Sequence, residues 1–155
     1  MICSFFGKAE YIATIQLENQ KTISSEWYVS QCIPKVLEKC CDRRPKTGTR
    51  GLLWHHDNAP AHKAARTVDF LNSKGVQILP HLPYSPDLAP NDFFLFPEAK
   101  LKLRGYSFSS PEDAVIDFQE VIDTMPKESW SNCFERWFYR MKLCIQSKGE
   151  YFEKR

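Results

Sequence analysis

No apolar run in these 155 residues approaches the ~20 that a membrane-spanning helix needs. The opening stretch, Met1-Ile2-Cys3-Ser4-Phe5-Phe6, is short and uncharged and does not read as an export signal. No internal repeat or low-complexity tract occurs, which excludes solenoids and arrays. The six cysteines, Cys3, Cys32, Cys40, Cys41, Cys133 and Cys144, contain no C-x-x-C pair. Structural zinc sites use such spacing to close a tetrahedron. The cysteines therefore read as reduced thiols, the state kept in the cytosol or nucleus. There is also little excess charge: 21 basic against 19 acidic residues give a net +2, too weak to argue for nucleic acid by itself. Disorder is excluded by what is abundant, since 43% of residues are hydrophobic and 14% aromatic.

The length fits one domain, residues 1–155. Two β-prone segments, about 2–6 and 11–17, flank Gly7-Lys8-Ala9-Glu10 and predict a hairpin. The cluster Thr22-Ile23-Ser24-Ser25 predicts a helix start, so a helix is expected over about 24–41, kinked at Pro34. Strands are expected at about 51–56 and 76–79. A helix over about 60–73 lies between them, with Pro60 in its first turn and Gly75 at its end. Further helices are expected over about 92–103, 111–124 and 127–148. Ser110-Pro111-Glu112-Asp113 caps the second. Trp130, Phe134, Trp137, Met141 and Cys144 form the core-facing stripe of the last. The order β-β-α-β-α-β-α-α-α predicts an α/β fold with a mixed sheet flanked by helices and a helical C-terminal part.

Two segments carry candidate chemistry. The first is His55-His56-Asp57-Asn58-Ala59-Pro60-Ala61-His62, with Asp57 at a strand end, the edge where open α/β sheets place their sites. The second is Tyr84-Ser85-Pro86-Asp87-Leu88-Ala89-Pro90-Asn91-Asp92, a stiff proline-rich loop that sets where Asp92 enters its helix. Either carboxylate could simply cap a helix. Taken together, two acids on a strand end and a helix start can converge on divalent metal, and 34 residues lie between them.

At these residues the chain resembles the catalytic domain of mariner-like transposases. The resemblance rests on His56-Asp57-Asn58-Ala59-Pro60-Ala61-His62 and on Tyr84-Ser85-Pro86-Asp87-Leu88-Ala89-Pro90-Asn91-Asp92-Phe93-Phe94-Leu95-Phe96. It also rests on the 34-residue spacing, and on the ending Arg136-Trp137, Cys144 and Gly149-Glu150-Tyr151-Phe152. It implies a ribonuclease H-like fold and metal-dependent cleavage and transfer of DNA at transposon ends. It implies three aspartates and two Mg²⁺ or Mn²⁺ ions, with Asp57 as the second acid and Asp92 as the third. His56, Asn58, Pro60, His62, Tyr84, Ser85, Pro86 and Asp87 would support the two motifs. The implied setting is the nucleus and the implied partner is DNA, with association of two copies, no membrane and no small-molecule cofactor.

The family's first acid lies on a strand before the hairpin, and no Asp occurs here before Asp42. The expectation is a fragment without the first, central strand or the DNA-recognition region, inactive alone. The alternative is a non-enzymatic DNA-binding or interaction module on the same scaffold. Arg43, Arg44, Lys46 and Arg50 make a basic loop, and Lys100, Lys102 and Arg104 follow Asp92. They are candidate phosphate contacts, which would position DNA rather than read it. A zinc site from His55, His56, Asp57 and His62 is disfavoured, because adjacent strand residues point to opposite faces.

Overall fold

A computed structural model describes residues 1–18 and 22–149. They fall into two compact units. The first is Met1–Phe6 with Ile12–Pro83; the second is Gly7–Tyr11 with the residues from Tyr84 onward. The Glu150-Tyr151-Phe152 part of the family-like ending lies outside the described residues.

β1 (Ile2–Phe6) and β2 (Tyr11–Gln16) pair as the expected hairpin. Its turn is closed by Gly7 N–H donating to Glu10 O at 2.8 Å. Ser24 caps α1 (Ser25–Trp27), its side chain accepting from Trp27 N–H. The helix continues as a π turn, Tyr28–Cys32, and then as α2 (Ile33–Arg43). The kink expected at Pro34 is thus a widened turn placed just before it. Proline has no N–H to give the carbonyl four residues back, and its ring crowds that carbonyl. The wider register, Ile33 N–H to Tyr28 O, relieves the crowding.

The strand expected at 51–56 is shorter. Gly51 has φ 70° and Leu52 N–H closes a turn onto Thr49 O, so β3 covers only Leu53–His55. The helix expected at 60–73 is two pieces, α3 (Pro60–Lys63) and α4 (Ala65–Ser73), broken at extended Ala64 (ψ 138°). The buried Thr67 hydroxyl donates to Ala61 O at 2.6 Å, taking a carbonyl that a continuous helix would give to its backbone. Gly75 (φ 71°) ends α4 as expected: its N–H reaches Asn72 O and Val76 N–H reaches Leu71 O. β4 (Gln77–Leu79) then lies parallel to β3, with Trp54 opposite Ile78.

The strands form two two-stranded sheets rather than one continuous sheet, and among the described residues no ladder joins β1 to β3. The hairpin strand β1 and β3 meet instead through side chains, the Phe5 and Trp54 rings lying 5.2 Å apart. Around them Tyr28, Cys32, Ile33, Val36, Leu71 and Val76 are almost wholly buried. Each fully buried aliphatic side chain here contributes roughly 1.5–3 kcal/mol.

In the second unit a 3₁₀ turn (Pro86–Leu88) leads to a second π turn (Asn91–Leu95) and α5 (Phe96–Lys102). Helix α6 (Pro111–Asp123) is capped by Ser110, which accepts from Asp113 N–H at 3.1 Å. Helix α7 (Lys127–Gln146) buries Trp130 and Trp137 of the expected stripe and also Cys133, while Phe134, Met141 and Cys144 of that stripe are half-buried. Trp130 packs against Phe94 and Tyr11, at 5.8 and 5.6 Å between rings.

Candidate catalytic site

Asp57 stands two residues beyond the C-terminal end of β3. It is not the cap of α3, whose N-cap is Ala59. Its Oδ1 accepts from Ala59 N–H at 2.9 Å, an Asx turn, and from His62 Nδ1 at 2.7 Å. The His62 bond and the Ala59 amide hold the carboxyl down to about pKa 2. An ionised carboxylate can only accept, so His62 carries its proton on Nδ1. The Asp57 side chain is 52% exposed and that of His62 17%.

Three aromatic residues frame this pair. The His56 ring stacks on His62 with 4.6 Å between centroids and 4° between planes. The Tyr28 ring lies 4.7 Å from His62 and 6.2 Å from His56, so His62 sits in a corner formed by the other two. Trp54 Nε1–H donates to His56 Nδ1 at 3.2 Å, and the Tyr28 hydroxyl approaches the same nitrogen at 3.4 Å. Indole N–H can only donate, so His56 Nδ1 bears the lone pair and its proton is on Nε2. Burial and the neighbouring His62 push His56 down to about pKa 3, so the ring is neutral. Burial also raises the Tyr28 hydroxyl above its usual range.

His55 faces elsewhere: its Nε2 meets His81 Nδ1 at 3.2 Å, and burial lowers it to about pKa 4. Asn58 Nδ2–H donates to His81 O at 2.9 Å, tying the loop after β3 to the one after β4. Strand alternation thus sends the adjacent histidines to different partners. Among the described residues no group of three or more His, Cys, Asp or Glu side chains gathers as a zinc centre would require.

The second motif belongs to the other unit. Asp92 is exposed in the second π turn, not at a cap, since the N-cap there is Pro90. Its N–H donates to Ala89 O at 2.9 Å. Asp87 is buried, and Arg140 Nη1 donates to its carbonyl at 3.1 Å while the guanidinium lies 4.6 Å over the Phe93 ring. Tyr84 is fully exposed at φ 53°, a conformation costly for a bulky side chain. Ser85 makes no side-chain cap, and Pro86 opens the 3₁₀ turn.

The basic candidates divide. Arg43 donates to Lys39 O and Arg44 to Arg50 O, so both serve the end of α2 and the loop after it. Lys46 and Arg50 are exposed in the first unit, and Lys100, Lys102 and Arg104 in the second. Sequence reasoning missed Tyr28, Trp54, His81 and Arg140. Tyr28 and Trp54 look like ordinary core aromatics in an apolar run. Only His81, beside the second motif, carried a usable signal.

No family profile matches the chain. It is 30% identical over 154 residues to the human histone-lysine N-methyltransferase SETMAR, a match spanning 99% of this chain and 22% of that protein. It is 30% identical over 157 residues to the Mariner Mos1 transposase of Drosophila mauritiana, spanning 99% of this chain and 45% of that one. The crystal structure of the Mos1 catalytic domain matches with a TM-score of 0.89 at 29% identity, over 98% of this chain and 75% of that one. The structural match gives the chain the ribonuclease H-like fold of that domain. The chain is homologous over nearly its whole length to the mariner transposase catalytic domain. It spans less than half the length of the curated relatives it matches. Solved Mos1 structures include paired-end complexes with Mn and with Mg, and one with the left transposon end.

Proposed function

We propose that these residues are the part of a mariner-type transposase that supplies two of three acids for metal-dependent DNA strand cleavage and transfer. Asp57 acts as the second acid and Asp92 as the third. The observation that carries this reading is the state of Asp57. It is a half-exposed carboxylate past a strand end, kept ionised and anchored through Oδ1 alone. Such a group fits a hard divalent cation, Mg²⁺ or Mn²⁺, which takes oxygen ligands. Bound ions of this kind activate an attacking oxygen and offset charge on the phosphodiester.

The chain's own residues hold the acids, shape the loops around them and position the phosphate backbone. The exposed Lys46, Arg50, Lys100, Lys102 and Arg104 serve that last role. Arg43 and Arg44 belong to the same set, each with one guanidinium N–H on a backbone carbonyl. The substrate is DNA at transposon ends, the setting is the nucleus, and two copies act together.

In this reading the family's first acid has no counterpart before Asp42 in these 155 residues. The chain alone is therefore expected to show no Asp57-dependent cleavage of a mariner-type inverted-repeat end with Mn²⁺. Placing a first-acid strand ahead of residue 1 is expected to restore nicking, and Asp57→Ala or Asp92→Ala should abolish it. Nicking that survives either substitution sinks the assignment. Salt-sensitive DNA binding with no nicking in the completed protein would favour the non-enzymatic alternative.

A further inference from the structure

The Asp57 carboxylate is asymmetric in its surroundings. Both hydrogen bonds it accepts, from Ala59 N–H and His62 Nδ1–H, fall on Oδ1. A monodentate metal ligand needs one oxygen turned outward and the other restrained, or the group rotates. The Ala59 bond comes from the loop and fixes the chain locally. The His62 bond comes from α3 and is only as well placed as the imidazole that makes it.

That imidazole is held from two sides. The His56 ring lies parallel to it at 4.6 Å, and the Tyr28 ring meets it at 4.7 Å and 44°. His56 is itself restrained by Trp54 Nε1–H on Nδ1, and Tyr28 is 1% exposed in the π turn. Trp54 is 5% exposed in β3. The restraint therefore runs from the core through two rings to one nitrogen of His62.

We propose that His62 is a positioning residue. Its Nδ1–H, set by the Tyr28 and His56 rings, pins Asp57 through Oδ1 and leaves Oδ2 as the oxygen offered to a divalent cation. This rests on the reading of Asp57 as a metal ligand. Its particular content is that the donor on His62, and not merely the bulk of its ring, controls the affinity for the ion.

Two variants separate donor from bulk. His62→Phe keeps a ring in the corner and removes the donor. His62→Asn places an amide N–H where Nδ1–H stands and removes the ring. Mn²⁺ binding to the 155-residue chain, followed by electron paramagnetic resonance of the free ion, is read beside thermal unfolding. The expected result for His62→Phe is a near-native melting temperature with Mn²⁺ affinity reduced about 10–100-fold, the usual cost of losing a partner behind a ligand. For His62→Asn the expected result is the reverse: a lower melting temperature with affinity within a few-fold of native. Native affinity in the Phe variant, or equal loss in both, would overturn the positioning role. Asp57→Asn tests the underlying reading separately. Weakened Mn²⁺ binding there is expected, and unchanged binding would overturn the ligand assignment and the positioning role with it.

Discussion

The two units carry one candidate acid each and use the same backbone device, but they put it to different use. Each has a five-residue π turn followed by an α-helix with proline as its second residue: Tyr28–Cys32 before Pro34, and Asn91–Leu95 before Pro97. In each, the residue before the proline donates five positions back, Ile33 to Tyr28 and Phe96 to Asn91. The same missing N–H produces the same turn in two unrelated sequences, which marks proline as its cause. In the first unit the π turn turns Tyr28 inward against the histidines that hold Asp57. In the second it carries Asp92 itself on the exposed side and buries Phe94 and Leu95. All four histidines, His55, His56, His62 and His81, belong to the first unit; the second relies on Arg140 over Phe93 and on packed tryptophans. Histidine rings thus stand beside Asp57, whereas in the other unit an arginine lies over Phe93, next in sequence to Asp92.

The largest test of that contrast is Tyr28→Ala. Removing a fully buried aromatic that supports both core and histidines is expected to cost about 3–5 kcal/mol in chemical denaturation. Tyr28→Phe, which loses the hydroxyl's contacts with His56 and Trp54 but keeps the ring, should cost about 1 kcal/mol. A Phe variant as unstable as the Ala variant would mean that the hydroxyl, not the ring, matters.

Acid should separate the units next. His55 and His56 stay neutral when folded, down to about pH 4 and 3, whereas in the unfolded chain they take up protons near 6.5. The unfolded state thus binds more protons, and stability falls as pH drops from about 6.5 toward 3. Asp57, lowered from 3.8 to about 2, adds stability that is present above about pH 3.8 and fades as pH falls through 2. Allowing for solvent screening, the two histidines together are worth on the order of 3 kcal/mol. Nuclear magnetic resonance of the indoles reads each unit: Trp54 should report loosening below pH 6.5 before Trp130 and Trp137 do. Simultaneous loss would show that the histidines do not set the acid response.

The smallest effect concerns the shared turn. Pro97→Ala restores an N–H that can reach Phe93 O, and should shift the turn to α register with a stability change within about 1 kcal/mol. Protection of the new backbone amide at that position from hydrogen exchange would show it. An unprotected amide there would mean that packing of Phe94 and Leu95, rather than the proline, holds the π turn.

Much of this was legible because it is local. Ser24 and Ser110 as caps, Gly75 as a helix end, the hairpin, and the stripe of α7 follow from side chains acting on their own turn of backbone. The two acid motifs were legible for a different reason, as long ordered matches to a family pattern. The sequence also predicted that His55 and His56 part company, since alternation along a strand needs no tertiary information. It misplaced the details that depend on competition for backbone groups. Pro34 and Pro97 were visible, but a π turn as the response was not. Thr67 was visible, but its capture of Ala61 O, which splits a helix in two, required the hydroxyl to be buried there. Arg43 and Arg44 were visible as charge, but not the backbone carbonyls of Lys39 and Arg50 that they bond. The surroundings of Asp57 were the least legible. Tyr28 lies 29 positions from it in sequence, and nothing in Glu26-Trp27-Tyr28-Val29 marks that ring as different from any core aromatic. Side-chain type and near spacing settle the caps and local turns and mark the candidate acids. Only packing of distant segments decides which ring touches which nitrogen, because burial and hydrogen-bond direction are set by neighbours that the chain brings together after it folds.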